Sequence, residues 1–213
     1  MTSTERETNG DVQTRERLIE VAVTLFSRHS YEGTSLQMIA DELGFSKGAI
    51  YHHFRTREEL LHAIVAPMLE RLGAIVEEAE ARRTPHARAE YMLTGYAAHL
   101  AANRRVAAVL SLDPGVLKVL RANSDWNRVI NRQSAVLAGV TAGPTGQIKA
   151  SVVMGGLAAA VDPRVADIDD EALCDILVDT GRRTLGLRTP RRDNTALHQP
   201  RVLEHGVARA HNT

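Results

Sequence analysis

Residues 34–57 read TSLQMIADELGFSKGAIYHHFRTR, and their spacing predicts two short helices joined by a tight turn. Thr34 is expected to cap the first helix with its hydroxyl while Gln37 reaches back to the cap nitrogen, as in a capping box. Ile39, Ala40 and Leu43 then form the inner face, Ala40 being small where the two helices must cross. Gly44 can take the left-handed conformation that ends the helix, and Phe45 pins the turn into the core. Ser46 caps the second helix. Ile50 and Phe54 face inward, which leaves Lys47, Gly48, Ala49, Tyr51, His52 and His53 on the outer surface. A purely structural surface helix usually carries Glu and Lys spaced for pairing. This one carries small residues, one lysine, an aromatic ring and two imidazoles, a set that fits the major groove of duplex DNA. The plainer alternative is an αα-hairpin inside a helical core.

Each residue has an expected role on that reading. Lys47 sits in the first turn of the second helix, where an ammonium reaches guanine acceptors. Gly48 and Ala49 permit close approach, and Ala49 can meet a thymine methyl. Gln37 can contact adenine or the sugar-phosphate chain. Thr34, Ser46, Tyr51, His53 and Arg57 are assigned to phosphates, which position the protein without reading sequence. His52 can do either. No metal site is expected from the histidine pair, because neighbours on a helix point roughly 100° apart and no further ligand completes a set.

The rest of the chain sets bounds. At 213 residues, a sizeable core is available. Aromatics are only 4% of a chain rich in alanine and aliphatics, which favours packed helices over sheets. Cys174 is the single cysteine, so no internal disulfide forms, and its apolar neighbours suggest a buried small residue. No apolar run approaches the roughly 20 residues of a membrane span, and residues 1–11 lack a secretory pattern, so a cytoplasmic location is expected. Lys plus Arg equals Asp plus Glu at 26 each. Between Asp11 and Leu60 the acids lead by eight to six, which departs from the usual basic footprint of a nucleic-acid binder. Binding must then rest on local placement of Lys47, Arg55 and Arg57.

Apolar spacing predicts an all-α chain of about nine helices. Leu18, Val21, Ala22 and Leu25 mark a first helix over 12–29. A long one is expected over 56–82, interrupted at Pro67, where proline removes a donor and crowds the Ala63 carbonyl. Further helices are expected over 85–103, 106–112, 116–121 and 124–137, with Asp113-Pro114-Gly115 as a clear break. The last two run over 145–161 and 169–185. The final one has acids in its opening turn, Arg182 and Arg183 in its closing turn, and Gly186 just after. Expected domains are a head over 11–71, with its motif at 34–53, and a body over 72–187. Residues 188–213, without apolar period, are expected to be a disordered tail.

The pattern Gly33-Thr34, Ile39-Ala40, Leu43-Gly44-Phe45-Ser46, Gly48, Tyr51, His53-Phe54 and Glu59-Leu60 resembles the tetracycline-repressor (TetR) family of transcriptional regulators. The likeness covers residues 12–65 by motif and the remainder only by helix count and length. It implies a homodimer that places its second motif helices in successive major grooves of a partly palindromic, double-stranded operator. It also implies a larger helical domain for ligand binding and dimerisation. Ile148, Val152, Gly155, Gly156 and Ala159, with Leu173, Ile176, Leu177 and Thr180, are then the expected dimer interface. Periodicity alone leaves them equally able to be subunit core.

A small-molecule effector of unknown identity is expected in an apolar cavity with a few polar groups. Candidates for its walls are Met68, Leu72, Met92, Tyr96, His99, Asn103, Trp126, Ile130, Gln133 and Met154, each of which can equally be plain core. A modest neutral or aliphatic compound is favoured. Ligand would lower DNA affinity by preferring a body shape that spaces the heads wrongly. An enzyme would need a nucleophile-base set, a metal cluster or a phosphate loop, and none is recognisable, so neither catalysis nor a cofactor is expected. The alternative is a helical protein-binding adaptor that keeps the motif without specific DNA affinity.

Overall fold

Ser35, rather than Thr34, caps the first helix of the motif. The computed structural model describes residues 3–165 and 167–188, with side chains from residue 11 onward. Its first helix, α1 (Ser3–His29), begins well before the expected residue 12. The chain then turns into α2 (Leu36–Glu42), where the Ser35 hydroxyl accepts the Met38 N–H at 3.2 Å. Thr34 is buried and donates its hydroxyl to the Ser30 carbonyl at 2.8 Å, while Gln37 donates to Asp41 at 2.6 Å. The expected capping box is therefore not formed. Two adjacent hydroxyls were available, and burial of Thr34 left the cap to its neighbour.

Gly44 ends α2 with φ +68. The Phe45 N–H reaches the Ala40 carbonyl at 2.8 Å and the Gly44 N–H that of Asp41 at 3.1 Å, the paired bonds of a Schellman motif. Ser46 then starts α3 (Lys47–His53) by accepting the Ala49 N–H. Thr56 caps α4 (Arg57–Glu80), which runs on through Pro67. Pro67 lies on the solvent side, where water can serve the Ala63 carbonyl that loses its donor.

The remaining elements are α5 (Pro85–Ala102), α6 (Arg104–Leu112), α7 (Pro114–Arg121), α8 (Ser124–Ala138), α9 (Pro144–Ala160) and α10 (Asp170–Leu185). Ten helices, against about nine expected, and no strand are present among the described residues. Asp169, expected inside the opening turn, instead caps α10, and Gly186 closes it at φ +79, as the sequence predicts. The expected tail lies outside the described residues beyond Arg188. No described helix is long and apolar enough to cross a membrane.

Two cores result. The first packs Leu18, Ala22 and Phe26 of α1 against Ile39, Ile50, Phe54, Leu60 and Leu61. Val109 and Leu110 of α6 and Val116 and Leu120 of α7 complete it, so the head's core draws on chain well beyond residue 71. The second joins α4, α5, α8, α9 and α10 around Ile75, Met92, Leu93, Leu137 and Leu177. Small residues set its close crossings. A Cβ on Gly181 of α10 would lie 2.3 Å from Leu93 of α5, and one on Gly95 would lie 2.6 Å from Ile75 of α4.

Candidate nucleic-acid interface and ligand cavity

Helix α3 turns Ile50 completely inward and holds Phe54 beneath it, which fixes what it can show to solvent. Ser46, Lys47, Gly48, Tyr51 and His52 are exposed, and Ala49 is half-buried. The Lys47 ammonium lies 5.8 Å from the Tyr51 ring centre, one turn along the same face. A Cβ on Gly48 would meet nothing nearer than the Ser46 hydroxyl at 3.9 Å, so an incoming surface can approach the backbone there. Arg15 and Arg17 of α1 stack over Phe54 and Phe45 at 5.1 and 5.5 Å. They add cations beside the motif that the sequence reading did not assign.

Three residues assigned to DNA are engaged inside the protein. Thr34 is buried, as described. The Arg57 guanidinium donates to the carbonyls of Tyr31, Glu32 and Thr34 at 2.9, 3.0 and 3.0 Å and stacks over Tyr31. It clamps the loop between α1 and α2, where three carbonyls converge without a helix to serve them. His53 keeps only 7% of its side chain exposed and lies 3.6 Å from the Asp11 carboxylate, which also stands 3.9 Å from His52. Gln37 is half-buried at the start of α2, paired with Asp41.

Asp113 joins head to body. One carboxylate oxygen accepts the Tyr31 N–H at 2.6 Å, and the other accepts the Gly115 and Val116 N–H groups that open α7. A Cβ on Gly115 would sit 3.0 Å from Glu32 and 3.2 Å from Tyr31, so a larger residue there would press on both. Burial, then the Glu58 carboxylate, push the Tyr31 phenol up to about 12. The sequence signalled Asp113-Pro114-Gly115 only as a break.

A cavity of about 240 Å³ lies between α4, α5, α6, α8 and α9. Met68, Leu72, Tyr96, His99, Trp126, Ile130 and Met154 line it, as do Ala107, Leu110, Ser111 and Leu117 of α6 and α7. The latter four were missed because nothing in their local pattern separates a wall from ordinary packing. Three other candidates lie elsewhere. Met92 is sealed in the core, and Asn103 ends α5 by donating to the His99 carbonyl at 2.8 Å. Gln133 is fully buried, and neither polar atom of its amide finds a partner among the described residues. Burial lowers the pKa of His99, and nearby Arg71 acts the same way. Burial raises the pKa of the Tyr96 phenol.

The outer face of α9 and α10 is apolar. Ile148, Val152 and Ile176 are 64%, 55% and 55% exposed, beside exposed Gly155, Gly156 and Thr180 and half-buried Ala159. Leu173 and Leu177, expected in the same interface, are instead buried in the subunit's own core. Helix α10 carries two apolar stripes, and these two leucines belong to the inner one.

Residues 18–64 match the model of bacterial regulatory proteins of the tetR family. The transcriptional repressor AcnR of Corynebacterium diphtheriae is 34% identical over 64 residues, 30% of this chain and 34% of that protein. The uncharacterized regulator YerO of Bacillus subtilis is 45% identical over 47 residues, 22% of this chain and 16% of that protein. The aligned stretch thus spans about a third of the AcnR length or less. Over the whole fold, the TetR-family regulator PfmR of Thermus thermophilus superposes with a TM-score of 0.57 at 26% identity, covering 78% of this chain and 97% of that one. The ketosteroid regulator KstR2 of Mycobacterium tuberculosis shares the fold with a TM-score of 0.64 at 16% identity, covering 81% and 93%. Residues 18–64 are thus similar to the DNA-binding region of TetR-family regulators, and the chain shares the fold of solved members of that family.

Proposed function

We propose that this protein is a ligand-responsive transcriptional regulator that binds a partly palindromic duplex operator as a homodimer and is released from it by a small molecule. The observation that carries this reading is the outward face of α3. There Lys47, Gly48, Tyr51 and His52 stand free of the core on a helix capped and seated from beneath. Lys47 reads a base edge, Ser46 and Tyr51 hold phosphates, and Gly48 lets the backbone come close. The exposed stripe of Ile148, Val152, Gly155, Gly156 and Ile176 pairs two copies, because an apolar face of that kind is a binding surface rather than a stable solvent boundary. Two heads then address successive grooves.

The effector occupies the cavity beneath α6. Leu110 of α6 both lines that cavity and packs in the head's core, and Asp113 ties the next turn to Tyr31. A ligand that shifts α6 therefore shifts the loop on which α2 rests, and DNA affinity falls by the ligand's preference for the shifted body.

Selection from randomised duplexes, followed by titration at increasing salt, tests the reading. Specific binding is expected to weaken steeply with salt as counterions are released. Lys47→Ala is expected to lose about 1–3 kcal/mol on the selected site and to relax one position in it. Absence of any preferred duplex at low salt, without effector, would defeat the proposal.

A further inference from the structure

The cavity's polar groups are few, and their hydrogens are already committed. Tyr96 donates its hydroxyl to the Met154 carbonyl at 3.1 Å, and Ser111 donates to the Ala107 carbonyl at 2.7 Å. His99 bonds to the Met68 backbone, and burial disfavours a second proton on its ring. A hydroxyl that has given away its proton still carries lone pairs. What Tyr96 and Ser111 offer a guest is therefore acceptance. No Lys, Arg, Asp or Glu lines the cavity among the described residues. An ionised guest would lose its hydration and meet no opposite charge in the wall itself. The remaining wall is aliphatic, with methionine and the Trp126 ring, and the volume of about 240 Å³ falls below the usual range of roughly 300–1,000 Å³.

We infer that the effector is a small neutral molecule, apolar over most of its surface, carrying a hydroxyl or N–H group that donates to the oxygen of Tyr96 or Ser111. This rests on the cavity being the effector site, as proposed above. It goes further by setting the polarity of the ligand's single polar contact: the ligand gives the proton and the protein takes it.

Trp126 is the sole tryptophan in the chain and stands in the cavity wall, so its fluorescence reports occupancy in the full-length protein. The probes are n-octanol, octyl methyl ether, octanoate and octylammonium, which share a chain and differ in charge and donor. Octanol is expected to give a saturable change. The ether, which can only accept, should bind about fivefold more weakly, the worth of one hydrogen bond. Both ions should bind at least about tenfold more weakly than the alcohol. Ser111→Ala or Tyr96→Phe should bring octanol down toward the ether while leaving the ether unchanged. Octanoate or octylammonium binding as tightly as octanol would overturn the neutral class while leaving the cavity as a ligand site. Ether equal to alcohol in the parent would overturn the donor assignment. If no probe alters Trp126, the cavity is no ligand site, and the underlying reading falls with the inference.

Discussion

Head and body are built from the same material, helices with aliphatic faces, yet they are finished differently. In the head, Leu18, Ile39, Ile50 and Leu60 are sealed completely. Its helices α2, α3 and α4 start on a serine or threonine cap, as α5, α7, α8 and α10 start on Thr84, Asp113, Asn123 and Asp169. But its irregular loop is held by Arg57 on one side and Asp113 on the other. The body contains a cavity and, among the described residues, a buried amide with two unmatched polar atoms, where the head leaves one, the Tyr31 hydroxyl. A reader of grooves must hold α3 in one position, since a base contact tolerates little displacement. A sensor must keep a second packing within a few kcal/mol of the first. Helix α4 serves both, with Leu60 to Val65 in one core and Leu72 to Ala79 in the other. Met68, between them, packs against both cores and lines the cavity.

The sharpest way to break this contrast is to loosen the head without touching its DNA face. Arg57→Ala removes three charge-assisted bonds to loop carbonyls and leaves those carbonyls to find water. A loss of about 2–3 kcal/mol in urea unfolding is expected. Had Arg57 been a phosphate contact, stability would hold and the dependence of DNA binding on salt would flatten by about one ion. The clamp predicts the reverse: a less stable head with an unchanged salt slope once folded. An undiminished unfolding midpoint would return Arg57 to the groove.

What the sequence disclosed follows the range of the interactions. Caps and terminators are written in adjacent residues, so Ser46, Gly44 and Gly186 could be read directly. Thr34 failed because its fate depends on being buried and bonded to Ser30, which two neighbouring hydroxyls do not reveal. The Arg57 clamp was illegible for a similar reason, since no local pattern says that three carbonyls 23 to 26 residues earlier converge on it. The apolar residues of α9 were legible, but not that Ile148 and Val152 face outward, since periodicity alone left them equally able to be subunit core. The division of α10 into an inner stripe, Leu173 and Leu177, and an outer one, Ile176 and Thr180, required knowing which side α5 occupies. Long and aromatic residues were natural guesses for the cavity wall. Ala107, Ser111 and Leu117 became wall only when α6 and α7 met α5 and α8.

A smaller effect sharpens the body's side of the contrast. Gln133 keeps both amide atoms unpaired among the described residues in a fully buried site, and such groups cost more than an apolar side chain of the same length. Gln133→Met is expected to raise stability by about 1–2 kcal/mol, measured by urea unfolding. It should narrow the difference in finish between the two cores without altering operator affinity at low salt. A variant no more stable than the parent would mean that ordered water already satisfies the amide.

The smallest expected effect is confined to mild acid and arises at His99. Its pKa is depressed from 6.5 in the folded body, chiefly by burial and further by Arg71, against an opposing bond to the Met68 backbone. The unfolded chain therefore takes up a proton there more readily than the folded one. Stability contributed by neutral His99 is present above 6.5 and drains away as pH falls below it, because protonation favours the unfolded state. Unfolding of the parent and of His99→Gln, compared at about pH 7.5 and about pH 5.5, isolates this contribution from the other histidines. The parent should lose more stability between the two conditions than the variant does. Equal losses would place the imidazole in a solvated setting, and the enclosed character of the cavity at that wall would have to be given up.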